Sequence, residues 1–207
     1  ARFQGVEDAD LQLVKAMEAF HATFGRRAAG GWPSEGAISE RALERMGAAG
    51  YRWAASDEDV LFASLGEILP DEQGPKDERR AALLYRPWRH KDGPVLLFRD
   101  HDLSDRIGFA YATRAPEDAA RDFVSRLLHL RDTLPDDDTP YVVSVILDGE
   151  NAWEHYPEHA APFFDALYGQ LSAEPRIETV TASEAADAER ARPLPRVVAG
   201  SWIYRNL

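Results

Sequence analysis

The chain has 207 residues, with 24 Lys+Arg against 36 Asp+Glu and a formal net charge of −12. That length suits one domain or two small ones, and it falls short of the roughly 250 residues of a closed eight-stranded α/β barrel. The acidic balance excludes a polyanion binder and argues against anionic membranes, no apolar run nears the ~18 residues of a span, and the lack of cysteine removes disulfides, thiolate nucleophiles and Cys-bound metals.

Leu11, Val14, Met17, Phe20 and Phe24 recur at three- and four-residue spacing, which predicts one face of a helix closed by Gly25. Residues 30–35 enter a loop. Ile38, Ala42, Leu43 and Met46 stripe a second helix that ends at Gly47 or Gly50. Residues 51–54 read as a short strand, 57–65 as a short helix and 70–80 as a polar loop. Strands are expected at 81–86 and 95–98, separated by Pro87 and a turn at 91–94. Ala119, Phe123, Leu127, Leu130 and Leu134 mark a long helix with Pro116 near its first turn. Residues 141–147 are almost wholly apolar, as a central strand of a parallel sheet would be. Phe163, Phe164, Leu167 and Leu171 stripe another helix, and 176–180 is the last strand candidate. Residues 185–196 read as a helix end and a connection. Strands alternating with helices predict an α/β fold. The start at Ala1 carries no signal peptide, and 201–207 carries no terminating signal. Both ends read as cuts within a longer protein, and a cytoplasmic location is expected.

Five tryptophans, at 32, 53, 88, 153 and 202, suit either a core or sugar-stacking surfaces. In parallel α/β folds functional groups gather at the carboxyl ends of strands. Carboxylates stand at three expected ends: Glu35, the group Asp100, Asp102 and Asp105 with His101 among them, and Asp148-Gly149-Glu150. Glu35 also suits the first turn of a helix, through the helix dipole. Asp148 ends an apolar run, and Gly149 frees the backbone for a sharp turn. Two carboxylates on facing strand ends fit glycoside hydrolysis, about 5–5.5 Å apart for retention and about 6.5–9.5 Å for inversion.

A rival pattern is His155-Tyr156-Pro157-Glu158-His159, which matches H-x-x-E-H. With Asp148 as a third ligand it suits a zinc-dependent deacetylase or peptidase. Pro157 fits a helix only in its first turn, which sets His155 outside the helix and separates the pair. A third reading is a sugar-binding module without catalysis, its tryptophans stacking on the ligand.

Three segments carry a resemblance. They are Trp32-Pro33-Ser34-Glu35-Gly36-Ala37-Ile38-Ser39-Glu40, then Phe98-Arg99-Asp100-His101-Asp102-Leu103-Ser104-Asp105-Arg106-Ile107-Gly108-Phe109, then Val145-Ile146-Leu147-Asp148-Gly149-Glu150-Asn151-Ala152-Trp153. In this order, with Gly200-Ser201-Trp202-Ile203 at the end, the chain resembles glycoside hydrolase family 57, in its amylopullulanase-like branch. The resemblance covers essentially the whole chain. It implies a retaining hydrolase or transglycosylase of α-glucans on a seven-stranded (β/α) barrel, with no cofactor and no metal. Glu35 aligns with the nucleophile and Asp148 with the acid/base, in a motif that also holds Glu150. Trp153 and His155 would lie beside the site, Trp32 and Trp53 would stack on sugar, and His101 and Asp105 would bind hydroxyls. The family's first His-Gln-Pro region and the region after it are absent, and Asn151-Ala152 replaces its Phe-Gly. The resemblance therefore implies one partial barrel domain over 1–207, lacking the first strands. Its partners would be an α-glucan and the missing strands of the parent chain, and the chain alone would be poorly active.

Overall fold

The computed structural model describes residues 5–67, 77–136, 140–150, 153–187 and 189–203. Most of the expected polar loop (70–76), Asn151-Ala152 and the chain ends at 1–4 and 204–207 lie outside the described residues. In chain order the elements are α1 (Val6–Phe24), β1 (Gly30–Gly31), α2 (Glu40–Ala48), β2 (Trp53–Asp57) and α3 (Glu58–Leu65). Next come α4 (Glu78–Leu84), β3 (Trp88–Arg89), β4 (Val95–Arg99), α5 (His101–Asp105) and α6 (Pro116–Thr133). The last are α7 (Ala161–Ala173), α8 (Ala182–Ala185) and β5 (Arg192–Pro193). The chain divides into two units, residues 1–69, 86–98 and 182–207, and residues 70–85 and 99–181. None of the described helices is long and apolar enough to cross a membrane.

The first unit is built on a five-stranded sheet in the order β1-β2-β4-β3-β5. β1 runs parallel to β2 and β5 parallel to β3, while β3 and β4 form an antiparallel pair. The sheet is open, with β1 and β5 at its edges, so the α/β expectation holds without a closed barrel. β4 is buried along its length, as a central strand covered on both faces must be. Helix ends follow local chemistry. Ser39 caps α2 by accepting the Ala42 N–H at 3.2 Å, and Asp57 caps α3 through the Asp59 N–H at 3.1 Å.

The second unit packs α6 against α7 around Phe123, Tyr156, Phe163 and Leu167. Pro116 stands at the start of α6, where its missing N–H costs nothing. The Tyr156 hydroxyl donates to the Ile107 carbonyl at 2.5 Å, and burial pushes its pKa up to about 12.

Four expectations are corrected. Residues 81–86 are not a strand; most of them form the last turns of α4. Asp77 caps that helix by accepting the Arg80 N–H at 2.8 Å, and Ala81 and Leu84 bury one helical face. Residues 141–147 make no ladder. Ser144 forms a single parallel bridge with Arg99, and the segment is half-buried throughout. The buried central strand is β4 instead. Residues 176–180 form no strand, because Arg176 turns back onto the Glu174 carboxylate at 2.6 and 2.7 Å. The stripe on α1 is not a core face. Met17 is 3% exposed, but Leu11, Val14 and Phe24 are 49%, 46% and 62% exposed.

Candidate active site

Glu35 lies in a tight turn that follows β1. The Gly36 N–H bonds the Pro33 carbonyl at 2.8 Å, and the Ala37 N–H bonds the Ser34 carbonyl at 3.0 Å. Within this turn Glu35 takes a left-handed backbone, φ 58° and ψ 22°, which a non-glycine residue adopts only under constraint. Two constraints are visible. The Ser56 hydroxyl donates to the Gly36 carbonyl at 2.7 Å, pinning the turn to the carboxyl end of β2. The Trp202 backbone N–H bonds the Glu35 carbonyl at 3.1 Å.

The carboxylate itself has an indole partner. Trp202 Nε1–H donates to Glu35 Oε2. Trp202 also meets Trp32 edge-on, with ring centroids 5.0 Å apart. Gly36, at φ +62°, lies under Trp32, and a Cβ there would come within 2.5 Å of the ring. Glu35 is therefore an exposed acid beside two tryptophans, with one oxygen held and its backbone fixed. Trp32 thus packs on Gly36 and on Trp202, the partner of Glu35. Trp202 entered the sequence reading only as part of the terminal motif, and it is an anchor of the site.

Trp53 is placed elsewhere. It opens β2, so Ser56, which holds the Glu35 turn, lies three residues further along the strand.

The second carboxylate belongs to the other unit. Asp148 follows the 141–147 segment, half-buried, and leads into the exposed turn at Gly149 and Glu150. The segment is clamped two residues before Asp148. The Ile146 N–H donates to Ser104 Oγ at 3.1 Å, and its carbonyl accepts from Arg99 Nε at 2.8 Å. Arg99 in turn pairs with Asp105 at 2.5 Å, with Arg99 itself buried. Asp105 thus acts on the Asp148 segment through Arg99. Sequence reading missed Arg99 and Ser104. The only signal was that both stand within the motif quoted around Asp100. Asp100 is buried, accepting from the Tyr85 hydroxyl at 2.5 Å and capping α5 through the Leu103 N–H at 2.8 Å. His101, half-buried, begins that helix.

Trp153 packs on Phe164 and Tyr156, with centroids 4.7 and 5.9 Å away, as part of the aromatic core. His155 and His159 are exposed. Glu158, His159 and Ala160 have φ of 51°, 53° and 67°. Three left-handed residues in a row destroy the helical i,i+4 face that a zinc pair needs. Asp148, His155 and His159 are not gathered within ligand reach of one another.

A family model described as Glycosyl hydrolase family 57 matches residues 3–198. The chain belongs to glycosyl hydrolase family 57. Its fold is shared by the 4-α-glucanotransferase of Thermococcus litoralis, with a TM-score of 0.69, at 19% identity over 95% of this chain and 28% of that one. An α-amylase of Thermotoga maritima gives a TM-score of 0.71 at 16% identity, over 95% of this chain and 48% of that one. A branching enzyme of Pyrococcus horikoshii gives 0.73 at 13% identity, over 97% and 45%. The family 57 chain thus spans between 28% and 48% of the length of these three structures. No curated protein matches the sequence. The chain shares part of the fold of these enzymes, and its own five-stranded sheet is open.

Proposed function

We propose that the chain carries the catalytic carboxylates of a retaining hydrolase or transglycosylase of α-glucans, with Glu35 as nucleophile and Asp148 as acid/base. The observation that supports this best is the Glu35 carboxylate, fixed by Trp202 and flanked by Trp32 at the carboxyl end of β2. A glucosyl ring needs an apolar wall and a pre-aimed oxygen, and this corner supplies both.

Glu35 attacks the anomeric carbon while the glycosidic C–O bond breaks and Asp148 passes its proton to the leaving oxygen. A β-linked glucosyl ester forms on Glu35. Water or a sugar hydroxyl then gives a proton to Asp148 and attacks the same carbon, releasing Glu35. Water yields hydrolysis and a sugar acceptor yields transfer. We also read the domain as one part of a larger barrel, whose other strands complete the substrate cleft. The deacetylase reading loses its ligand set with the left-handed backbone at 158–160.

A fluorinated α-glucosyl fluoride tests the assignment, because it traps the first intermediate. Glu35 displaces the anomeric fluoride, so a fluoroglucosyl mass on the peptide holding Glu35 is expected, and Glu35→Gln abolishes it. Labelling that persists in Glu35→Gln, or that maps to another acid, overturns the assignment.

A further inference from the structure

Trp53 is separated from Glu35 along the sheet. Ser56, which holds the Glu35 turn, lies three strand residues beyond it, about 10 Å at the rise of a β-strand. Around Trp53 is a groove of about 410 Å³ at the amino ends of β2 and β4. That volume falls in the range of small-molecule sites, roughly 300–1,000 Å³.

Its aromatic wall is fixed by the backbone of β1. The Trp53 indole lies on Gly30, where a Cβ would come within 2.1 Å of the ring, and Tyr51 lies beside Gly31, where one would meet its ring at 3.4 Å. Trp53 Nε1–H donates to Ser183 Oγ at 3.1 Å. Neither glycine has a positive φ, so the requirement there is space rather than turn geometry. The rim is polar. Arg89 Nε donates to the Gly93 carbonyl at 2.9 Å, which sets its guanidinium, and Arg52 and Asp92 stand exposed. A pre-set aromatic surface beside guanidinium and carboxylate groups suits a neutral ligand with one apolar face and a ring of hydroxyls. Among the described residues that line the groove, Asp92 is the single carboxylate, whereas glycoside cleavage takes two.

We propose that this groove is a second α-glucan-binding site, at the opposite end of the sheet from Glu35, which holds a glucan without cleaving it. The proposal rests on the reading of the chain as acting on α-glucans. It gives Trp53 a sugar to stack on, but not the one at Glu35.

The test is calorimetric titration of the whole chain with maltoheptaose, in wild type and in Trp32→Ala, which removes the wall of the Glu35 corner. Binding that persists in Trp32→Ala, and weakens on the order of tenfold when Trp53→Ala is added, is the expected result. Because Trp53 packs on Gly30, a second variant removes only exposed rim groups. Arg52→Ala with Asp92→Ala should weaken binding several-fold at unchanged thermal stability. If maltoheptaose binds wild type but Trp32→Ala alone abolishes it, or the groove variants bind unchanged, the groove proposal falls and the glucan reading stands. If wild type binds no maltoheptaose and gives no glucosyl adduct, the glucan reading fails and takes the groove with it.

Discussion

Gly36 and Gly25 form a controlled pair for the geometry around Glu35. Both have left-handed backbones, φ 62° and 69°. A Cβ at Gly25, the cap of α1, would meet nothing within 4 Å, whereas one at Gly36 would lie 2.5, 3.0 and 3.1 Å from three Trp32 ring atoms. Gly25→Ala should therefore cost only the left-handed backbone term, ~1–2 kcal/mol. Gly36→Ala adds the displacement of an indole, an overpacking cost of ~1–3 kcal/mol, for a total of ~2–5 kcal/mol. With a urea m-value of ~2 kcal/mol/M, the midpoint should fall by ~0.5–1 M for Gly25→Ala and by ~1–2.5 M for Gly36→Ala. Tryptophan fluorescence during urea unfolding reads both. Equal shifts in the two variants would refute the close seat of Trp32 on Gly36, and with it the fixed wall beside Glu35.

Trp202→Phe keeps a ring against Trp32 but removes the N–H given to Glu35. With Glu35 as the proposed nucleophile, losing one hydrogen bond to a charged group should slow formation of the trapped sugar adduct about ten- to hundredfold, and an unchanged rate would remove Trp202 from the positioning of Glu35. The Arg176 hydrogen bonds hold the Glu174 carboxyl at about 2, below its ordinary 4.5. Their stabilisation is thus present above about pH 4.5 and lost as pH falls through 2. Acid unfolding of Glu174→Gln should lack that part of the slope, and superimposable acid profiles would count against the ion pair. On α1, Met17→Ala should cost about 2–5 kcal/mol, because Met17 is buried. Phe24→Ser, on an exposed side chain, should stay within about 0.5 kcal/mol, as urea midpoints would show.

Much of this protein was readable where the signal is local. The long helix α6 follows from Pro116 and a three- and four-residue stripe, and α3, Glu58–Leu65, falls within the helix expected at 57–65. The family followed from three motifs in order, since a motif records residue type without needing its partner. The errors arose where partners decide. Residues 81–86 are apolar enough for a strand, yet the Asp77 cap and two buried positions one turn apart favour helix. Residues 141–147 have strand composition, but a ladder needs a neighbour along its length, and the segment meets Arg99 at one bridge.

By itself the sequence determined the α/β class and the motifs that hold the acids, because alternation and punctuation are written in neighbouring residues. Only the tertiary structure decided what holds them. Trp202 reaches Glu35 across 167 positions, Arg99 reaches Ile146 across 47, and Trp53 reaches Ser183 across 130. No periodicity records such pairings, since a hydrogen bond between distant side chains depends on how the sheet brings chain segments side by side.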